Sequence, residues 1–133
     1  MKNSLFILLA IVAFASCKKA DLPVTSTGYN GTFELRARYG GIAGINEKYT
    51  AGNKNIFQLD ADSTYKIFID GELNRQGTFR IKKNADTLYN VIYDRIYYDT
   101  DTTYGTEIRL HGDTLTLGTD ITDNIAADYK RIK

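Results

Sequence analysis

An alternation of side-chain character over residues 32–39 constrains the fold of this chain more than any other feature. Apolar or aromatic residues occupy the odd-numbered positions from Phe33 to Tyr39, and Thr, Glu or Arg occupies the even-numbered ones. Successive side chains of a strand point to opposite faces of a sheet, so this period of two predicts a half-buried strand. Such a strand needs neighbours that cover its apolar face.

Similar segments recur at a spacing of about ten residues, which is typical of β-sandwiches and β-barrels. Asp70-Gly71 and Gly112-Asp113 predict tight hairpin turns, and residues 84–86 and 99–103 predict further turns. We therefore predict an all-β fold, a single antiparallel β-barrel of about eight strands behind an N-terminal signal and tether. A two-sheet sandwich is the alternative. The later predicted strands cover residues 56–60, 64–70, 73–82, 87–98, 106–111, 114–118 and 126–132.

Three segments break the regular pattern. Residues 40–54 contain four glycines and no sustained period, so they predict a long loop. The apolar residues Ile42, Ile45 and Tyr49 suggest a lid over one end of the sheet, and a short helical turn capping the core is an equal alternative. Gly77 predicts a bulge or bend, and Asp94-Arg95 predicts a bulge at which the strand faces exchange.

The first seventeen residues have the features of an export signal. Lys2 is followed by an unbroken apolar run of eleven residues at 5–15, which as a helix would span about 16 Å, half of a bilayer core. Residues 14–17 (FASC) resemble the lipobox of bacterial lipoproteins, which implies cleavage before Cys17 and lipidation of that residue. An ordinary signal with an incidental cysteine is the alternative. Cys17 is the only cysteine and has no internal disulfide partner, so we favour lipidation.

The predicted organisation follows from this signal. Residues 1–16 form the lipoprotein signal, residues 17–29 a lipidated tether, and residues 30–133 the barrel domain. The tether contains the only proline together with Ser, Thr and Gly, a composition typical of an exposed linker. Acyl chains on Cys17 would hold the domain on a membrane, and Lys18 and Lys19 would lie near the headgroups.

Composition narrows the classes of partner. Loss of residues 1–16 removes Lys2 and no acid, so the mature chain of 117 residues has sixteen basic and sixteen acidic side chains and no net charge. This balance gives no basic patch for nucleic acid. Ten Tyr, one Pro and no Trp favour β structure in a single domain. We expect a monomer.

Five short stretches carry a resemblance to a known family. They are residues 31–35 (GTFEL), 40–44 (GGIAG), 63–66 (STYK), 77–79 (GTF) and 112–117 (GDTLTL). Their order resembles the lipocalin and fatty-acid-binding superfamily, and more closely the small lipocalin-like lipoproteins of Bacteroidetes. The resemblance implies that residues 30–133 form a lipocalin-like β-barrel.

The same resemblance implies roles for two residues. The first strand of lipocalins opens with Gly-x-Trp, and Phe33 stands here in place of the Trp. In that family the last strand supplies a basic residue that covers the ring, a role that falls to Arg131. We expect no counterpart here of the C-terminal helix of larger lipocalins.

No group of residues predicts catalysis, a metal site or a cofactor. His111 is the only histidine and lies beside a turn, so a solvated turn residue is the simplest interpretation. Residues 99–110 fail the EF-hand pattern because Tyr104 and Leu110 stand where Gly and Glu are needed. The acidic loops are otherwise ordinary turn formers, although a looser calcium site stays open.

We therefore expect a non-enzymatic lipoprotein that binds a small apolar or amphipathic molecule. Its expected location is the bacterial cell envelope, anchored by lipid in the outer membrane and facing the periplasm. The alternative is a non-catalytic interaction or structural module whose barrel is filled with side chains. The cavity wall is predicted to contain Phe57, Tyr65, Phe79, Tyr89 and Tyr93, although cross-strand pairing is a competing explanation for the tyrosines.

Overall fold

The computed structural model describes residues 28–119 and 123–133, so the predicted signal, the lipidation of Cys17 and most of the tether lie outside it. Within these ranges no helix is long and apolar enough to cross a membrane. The described residues form nine strands. They are β1 (Gly31–Gly40), β2 (Ile45–Lys48), β3 (Ile56–Leu59), β4 (Thr64–Ile69), β5 (Glu72–Leu88), β6 (Val91–Tyr98), β7 (Thr106–His111), β8 (Thr114–Leu117) and β9 (Ile125–Arg131).

Eight of these strands form a closed antiparallel barrel. The sheet runs β1-β3-β4-β5-β6-β7-β8-β9 and closes where β9 pairs with β1, with Arg131 opposite Phe33. The short strand β2 is additional and pairs with the second half of β1. The predicted all-β antiparallel barrel is confirmed, and a two-sheet sandwich is excluded because one sheet closes on itself.

The barrel has two distinct ends. We call the end where β1 begins the proximal end and the end where β1 finishes the distal end. Because neighbouring strands are antiparallel, the β3–β4, β5–β6 and β7–β8 turns lie at the proximal end. The β4–β5, β6–β7 and β8–β9 connections lie at the distal end. The chain therefore enters the barrel at the proximal end.

The barrel interior contains a packed hydrophobic core. The alternation in β1, β3 and β4 turns Phe33, Phe57 and Tyr65 inward, as the period of two predicts, and each is at most 1% exposed. Close packing of such large side chains supplies most of the stability of a domain this size. The fully enclosed residues are Phe33, Phe57, Leu59, Tyr65, Ile96, Ile108 and Leu115.

The predicted turn at residues 84–86 needs correction. β5 continues through residues 84–86 and the hairpin turn falls at Tyr89-Asn90, where both residues have positive φ. Residues 83–85 instead form a bulge opposite the single residue Asp94, whose carboxylate accepts hydrogen bonds from the Asn84 N–H (2.8 Å) and the Lys83 ammonium (2.8 Å). The expected irregularity at Asp94 is therefore real, but the extra residues lie on the partner strand.

The expected loop at residues 40–54 is partly a hairpin. β2 pairs back onto β1, with Ile45 opposite Gly40, and no helical turn caps the core in this described segment. Ile42 lies at the tip of this hairpin and is 86% exposed, so its expected burial in a lid is wrong. Pairing of β2 with β1 places Ile42 in the connecting turn, away from the barrel interior.

Arg131 and Tyr29 close the proximal end. The Arg131 guanidinium lies 4.5 Å from the Phe33 ring centroid, which confirms the predicted stacking, and donates hydrogen bonds to the carbonyls of Gly28 and Asn30. A side chain at Gly31 would overlap this guanidinium, which explains the glycine two residues before Phe33. The Tyr29 hydroxyl donates to Asp94 at 2.7 Å.

Candidate ligand cleft at the distal end

A cleft of about 480 Å³ opens into the distal half of the barrel. Its volume is within the usual range of small-molecule sites, about 300–1,000 Å³. Most of the lining side chains are aliphatic or aromatic, and polar atoms supply nearly half of the exposed inner surface. The lining residues are Leu35, Arg38, Tyr49, Asn55, Ile56, Ile67, Phe68, Ile69, Asp70 and Tyr129.

The cleft exists because the barrel wall is interrupted on this side. β2 pairs only with β1, and the chain leaves the wall between Lys48 and Ile56 before β3 resumes beside the first half of β1. β4 ends at Ile69, and among the described strands none pairs with the outer edge of β2. Outward-facing Phe68 and inward-facing Ile67 both reach the cleft, as expected for an opening through the wall.

Polar groups at one edge of the cleft are already paired with each other. The Arg38 guanidinium lies 3.2 Å from the Glu47 carboxylate, which also accepts a hydrogen bond of 2.7 Å from the Tyr49 hydroxyl. Burial raises the pKa of Tyr129, so its hydroxyl remains protonated. None of the described residues accepts a hydrogen bond from this hydroxyl, which leaves a donor for a ligand in the cleft.

An aromatic cluster separates the cleft from the rest of the interior. The Phe57 and Tyr129 ring centroids are 5.9 Å apart, and Tyr65 and Tyr98 meet at 4.9 Å in an edge-to-face contact. Arg75 lies over the Tyr65 and Tyr98 rings at 5.5 and 5.4 Å and pairs at 3.0 Å with the Asp99 carboxylate. The cleft therefore ends on this aromatic cluster, and the barrel below it is filled.

Gly77 makes room for this cluster. A Cβ at Gly77 would overlap the Asp99 carboxylate and would lie 3.1 Å from the Tyr65 ring. The bulge in this part of β5 lies nearer its beginning, opposite Ile67 and Phe68. The expected bulge at Gly77 is therefore wrong, and the glycine is explained by close approach of side chains.

The predicted cavity residues lie elsewhere, and none of them lines the cleft. Phe57 and Tyr65 belong to the packed core, and Phe79 packs against it. Tyr89 is 78% exposed at the proximal β5–β6 turn, so its assignment to a cavity wall is wrong. Tyr93 lies on the strand face opposite that of the core residues, with its ring 5.7 Å from the Arg109 guanidinium.

The predicted lid residues have mixed positions. Tyr49 lines the cleft and Ile45 is partly buried, whereas Ile42 points into solvent. His111 is exposed at the end of β7. The part of the chain that the structure describes contains no group of three His, Cys, Asp or Glu side chains placed to hold a metal ion.

Sequence reasoning missed Leu35, Arg38 and Ile67 as cleft residues. The alternation already turned Leu35 and Ile67 inward, so their burial was predictable. Their role as lining depends on the missing wall beside β2. Arg38 reaches the cleft because a register shift between Leu35 and Ala37 reverses the alternation of β1. No sequence signal marks that shift.

The buried Glu34 carboxylate holds the wall beside the cleft. It is 5% exposed, accepts hydrogen bonds from the N–H groups of Gly52 (3.1 Å) and Lys54 (3.3 Å), and lies 2.5 Å from the Arg36 guanidinium. The Gly52 N–H, together with Arg36 and Lys54, lowers the pKa of Glu34. This carboxylate ties the connection between β2 and β3 to the outside of β1.

Glu34→Gln is expected to lower the free energy of unfolding at neutral pH by about 1–2 kcal/mol, because charged hydrogen bonds are replaced by a neutral one. Since folding lowers the pKa of Glu34, the advantage of the wild type should be complete above pH 4.5 and lost as pH falls below it. Urea unfolding at several pH values measures this difference. Glu72→Gln, at an exposed carboxylate, is the control; equal effects of the two substitutions would contradict the prediction.

No family model, curated protein or solved structure matches this chain. The chemistry of the cleft is therefore the guide to function. An apolar floor, a phenol that can donate and an edge of paired charges suit a molecule with a large apolar part and one or two polar groups.

Proposed function

We propose that this chain is a membrane-anchored, lipocalin-like lipoprotein that binds a small amphipathic molecule and does not act as an enzyme. The observation that carries the proposal is the cleft of about 480 Å³, whose floor contains Leu35, Ile67 and Tyr129. An apolar group would bury its surface there, and each CH₂ removed from water contributes about 0.8 kcal/mol. The Tyr129 hydroxyl and the Arg38 edge would orient the polar end.

The lipocalin-like character is supported by the proximal end of the barrel. Phe33 stands two residues after Gly31, and Arg131 on the last strand covers its ring, in the arrangement that the sequence resemblance implies. The closed barrel of eight antiparallel strands agrees with the same resemblance. Many functions occur on one fold, so the ligand is argued from the cleft.

The proposed location rests on the signal and the point where the tether meets the barrel. Lipid on Cys17 would hold the protein in the outer membrane, facing the periplasm, as a monomer. Gly28 and Tyr29 pack at the proximal end, opposite the distal cleft. Anchoring therefore leaves the mouth of the cleft accessible.

A second function is favoured by the filled lower barrel. Phe57 and Tyr65 are at most 1% exposed, so a ligand cannot enter below the aromatic cluster without displacing it. A non-catalytic module that contacts another envelope component through its loops would need no ligand cavity, so a filled barrel suits it. The presence or absence of a bound molecule distinguishes the two functions.

Native mass spectrometry of the protein from its own envelope is expected to show a bound small molecule. Ile69→Trp places a larger side chain in the cleft and is expected to reduce the bound fraction about tenfold, equivalent to about 1.4 kcal/mol of binding free energy. Ile92→Trp is the matched control, since Ile92 is 58% exposed, Ile69 is 48% exposed, and Ile92 does not line the cleft.

Each result of this comparison has a clear meaning. A ligand that is lost in Ile69→Trp and kept in Ile92→Trp supports binding in the cleft. A wild-type protein that carries no small molecule contradicts the binding function and favours the interaction module. A ligand retained equally by both variants places it outside the cleft.

A further inference from the structure

Strand register collects basic side chains on one outer face of the barrel. Phe79 and Ile81 pack inward on β5, so Arg80 and Lys82 point outward about 7 Å apart. Lys82 lies directly opposite Arg95 on β6, where paired side chains are about 5 Å apart. Arg109 adds a fourth cation on the outer face of β7. We call Arg80, Lys82, Arg95 and Arg109 the basic face.

Carboxylates neutralise only one of these cations. Arg95 binds Asp86 at 2.8 Å and Glu107 at 2.6 Å. Arg80 donates to the Asp101 backbone carbonyl, and among the described residues no carboxylate forms an ion pair with Arg80, Lys82 or Arg109. With Asp86 and Glu107 included, the four cations have a formal net charge of about +2, and the nearby Asp101 carboxylate, which interacts with Arg80, reduces it to about +1 in a mature chain with no net charge.

Aromatic rings lie beneath the exposed cations. The Arg80 guanidinium is 4.1 Å from the centroid of the Tyr97 ring, and the Arg109 guanidinium is 5.7 Å from that of Tyr93. These contacts hold the charged groups over the strands without neutralising them. A sheet surface with fixed, exposed cations on neighbouring strands suits an extended anionic surface.

The end of the tether reaches β5 through the Tyr29 ring. The Lys83 ammonium, next to Lys82, lies 4.3 Å from the Tyr29 ring and 2.8 Å from Asp94. Eleven peptide steps separate Cys17 from Gly28, so the anchor lies within about 40 Å of this point even when the chain is fully extended. The Gly28 carbonyl accepts a hydrogen bond of 2.7 Å from Arg131 on β9, so the tether starts at the proximal end of the barrel, within reach of the basic face through this short connection.

We infer that the basic face contacts the anionic phospholipid headgroups of the membrane that holds the anchor. This inference rests on the anchor in the proposed function and not on a ligand in the cleft. Charge complementarity supplies the attraction, and the short tether raises the local concentration of the face at the bilayer. The barrel then lies on its side, and the cleft between β2 and β4 stays open to the aqueous phase.

A fluorescent probe in the basic face tests this contact. The natural chain has no tryptophan, so Tyr97→Trp introduces a single indole beneath Arg80. The full chain carrying this substitution is purified from its envelope and added to vesicles of phosphatidylcholine with or without phosphatidylglycerol, each containing a lipid-borne quencher. We expect quenching in the phosphatidylglycerol vesicles that disappears at high salt.

Charge reversal on the face should weaken the contact strongly. Each basic residue near an anionic surface contributes about a fivefold factor, so Arg80→Glu with Lys82→Glu should raise the lipid needed for half-quenching at least about thirtyfold. Lys48→Glu with Lys130→Glu is the matched control, since it changes the net charge equally on other strands and should leave the quenching almost unchanged.

Several outcomes would overturn the inference. One is equal quenching with and without phosphatidylglycerol, and another is an equal effect of the two charge reversals. If the introduced indole remains accessible to an aqueous quencher, the inference is also overturned. A soluble anionic partner would then be the better candidate for the basic face. The mass of the purified chain reports lipidation separately, so a missing anchor is distinguished from a face that does not touch lipid.

Discussion

Cys17→Ala is expected to abolish fatty-acid labelling of the protein and to release it from the membrane. The thiol of Cys17 is the only one in the chain, so no other cysteine can accept a thioether-linked lipid. Two or more acyl chains give stable anchoring at about 0.8 kcal/mol per buried CH₂. Loss of these acyl chains should therefore release nearly all of the protein from the membrane.

Labelling of cells with a fatty-acid analogue, followed by isolation of the protein, measures this effect. Ser16→Ala is the control, because it keeps a small residue before the cleavage position and should leave labelling intact. A wild-type protein without label, or label that survives Cys17→Ala, would show that the chain is not a lipoprotein of this kind.

Phe33→Ala is expected to lower the free energy of unfolding by about 3–5 kcal/mol, a large share of the stability of a domain of this size. Phe33 is fully buried, lies in the core cluster, and pairs across β1 and β3 with Phe57. Its removal leaves a cavity and also takes away the ring beneath Arg131. Both losses act at the place where the barrel closes.

Urea unfolding of the wild type and the variant measures the difference. Tyr104→Ala is the control, because Tyr104 is 85% exposed and its removal should change stability by no more than about 0.5 kcal/mol. Phe33→Leu keeps apolar volume but removes the ring, so it should cost less than Phe33→Ala. If Phe33→Ala lowers the free energy of unfolding by less than about 1 kcal/mol, packing around Phe33 does not contribute strongly to the stability of the barrel.

The strands were predictable wherever one face is buried. In β1, β3 and β4 the alternation identified inward residues such as Phe33, Phe57 and Tyr65. Prediction failed at residues 84–86, because Asn-Ala-Asp has the composition of a turn. The Asp94 carboxylate from the next strand satisfies the Asn84 N–H and holds the segment as a bulge, which no local pattern reveals.

The cleft was less predictable than the strands. Tyrosine has an apolar ring and a polar hydroxyl, so the side chains of Tyr65 and Tyr98 suit a cavity wall as well as a packed cluster. Their mutual contact and the Arg75 guanidinium above them decide the matter in favour of packing. The opening lies where β2 and β4 end. The Glu34 carboxylate holds residues 52–54, which connect β2 to β3, against β1 beside this opening.

Two features were determined by the sequence alone: the all-β character, through the period of two, and the expectation of export and lipidation, through the leader and Cys17. Both are local, since side-chain alternation and a short apolar run need no distant partner. The tertiary structure decided closure through the β1–β9 pair, the open wall beside β2 and the gathering of Arg80, Lys82 and Arg109 on one face. These features depend on strand register, which is set by contacts between residues far apart in the chain.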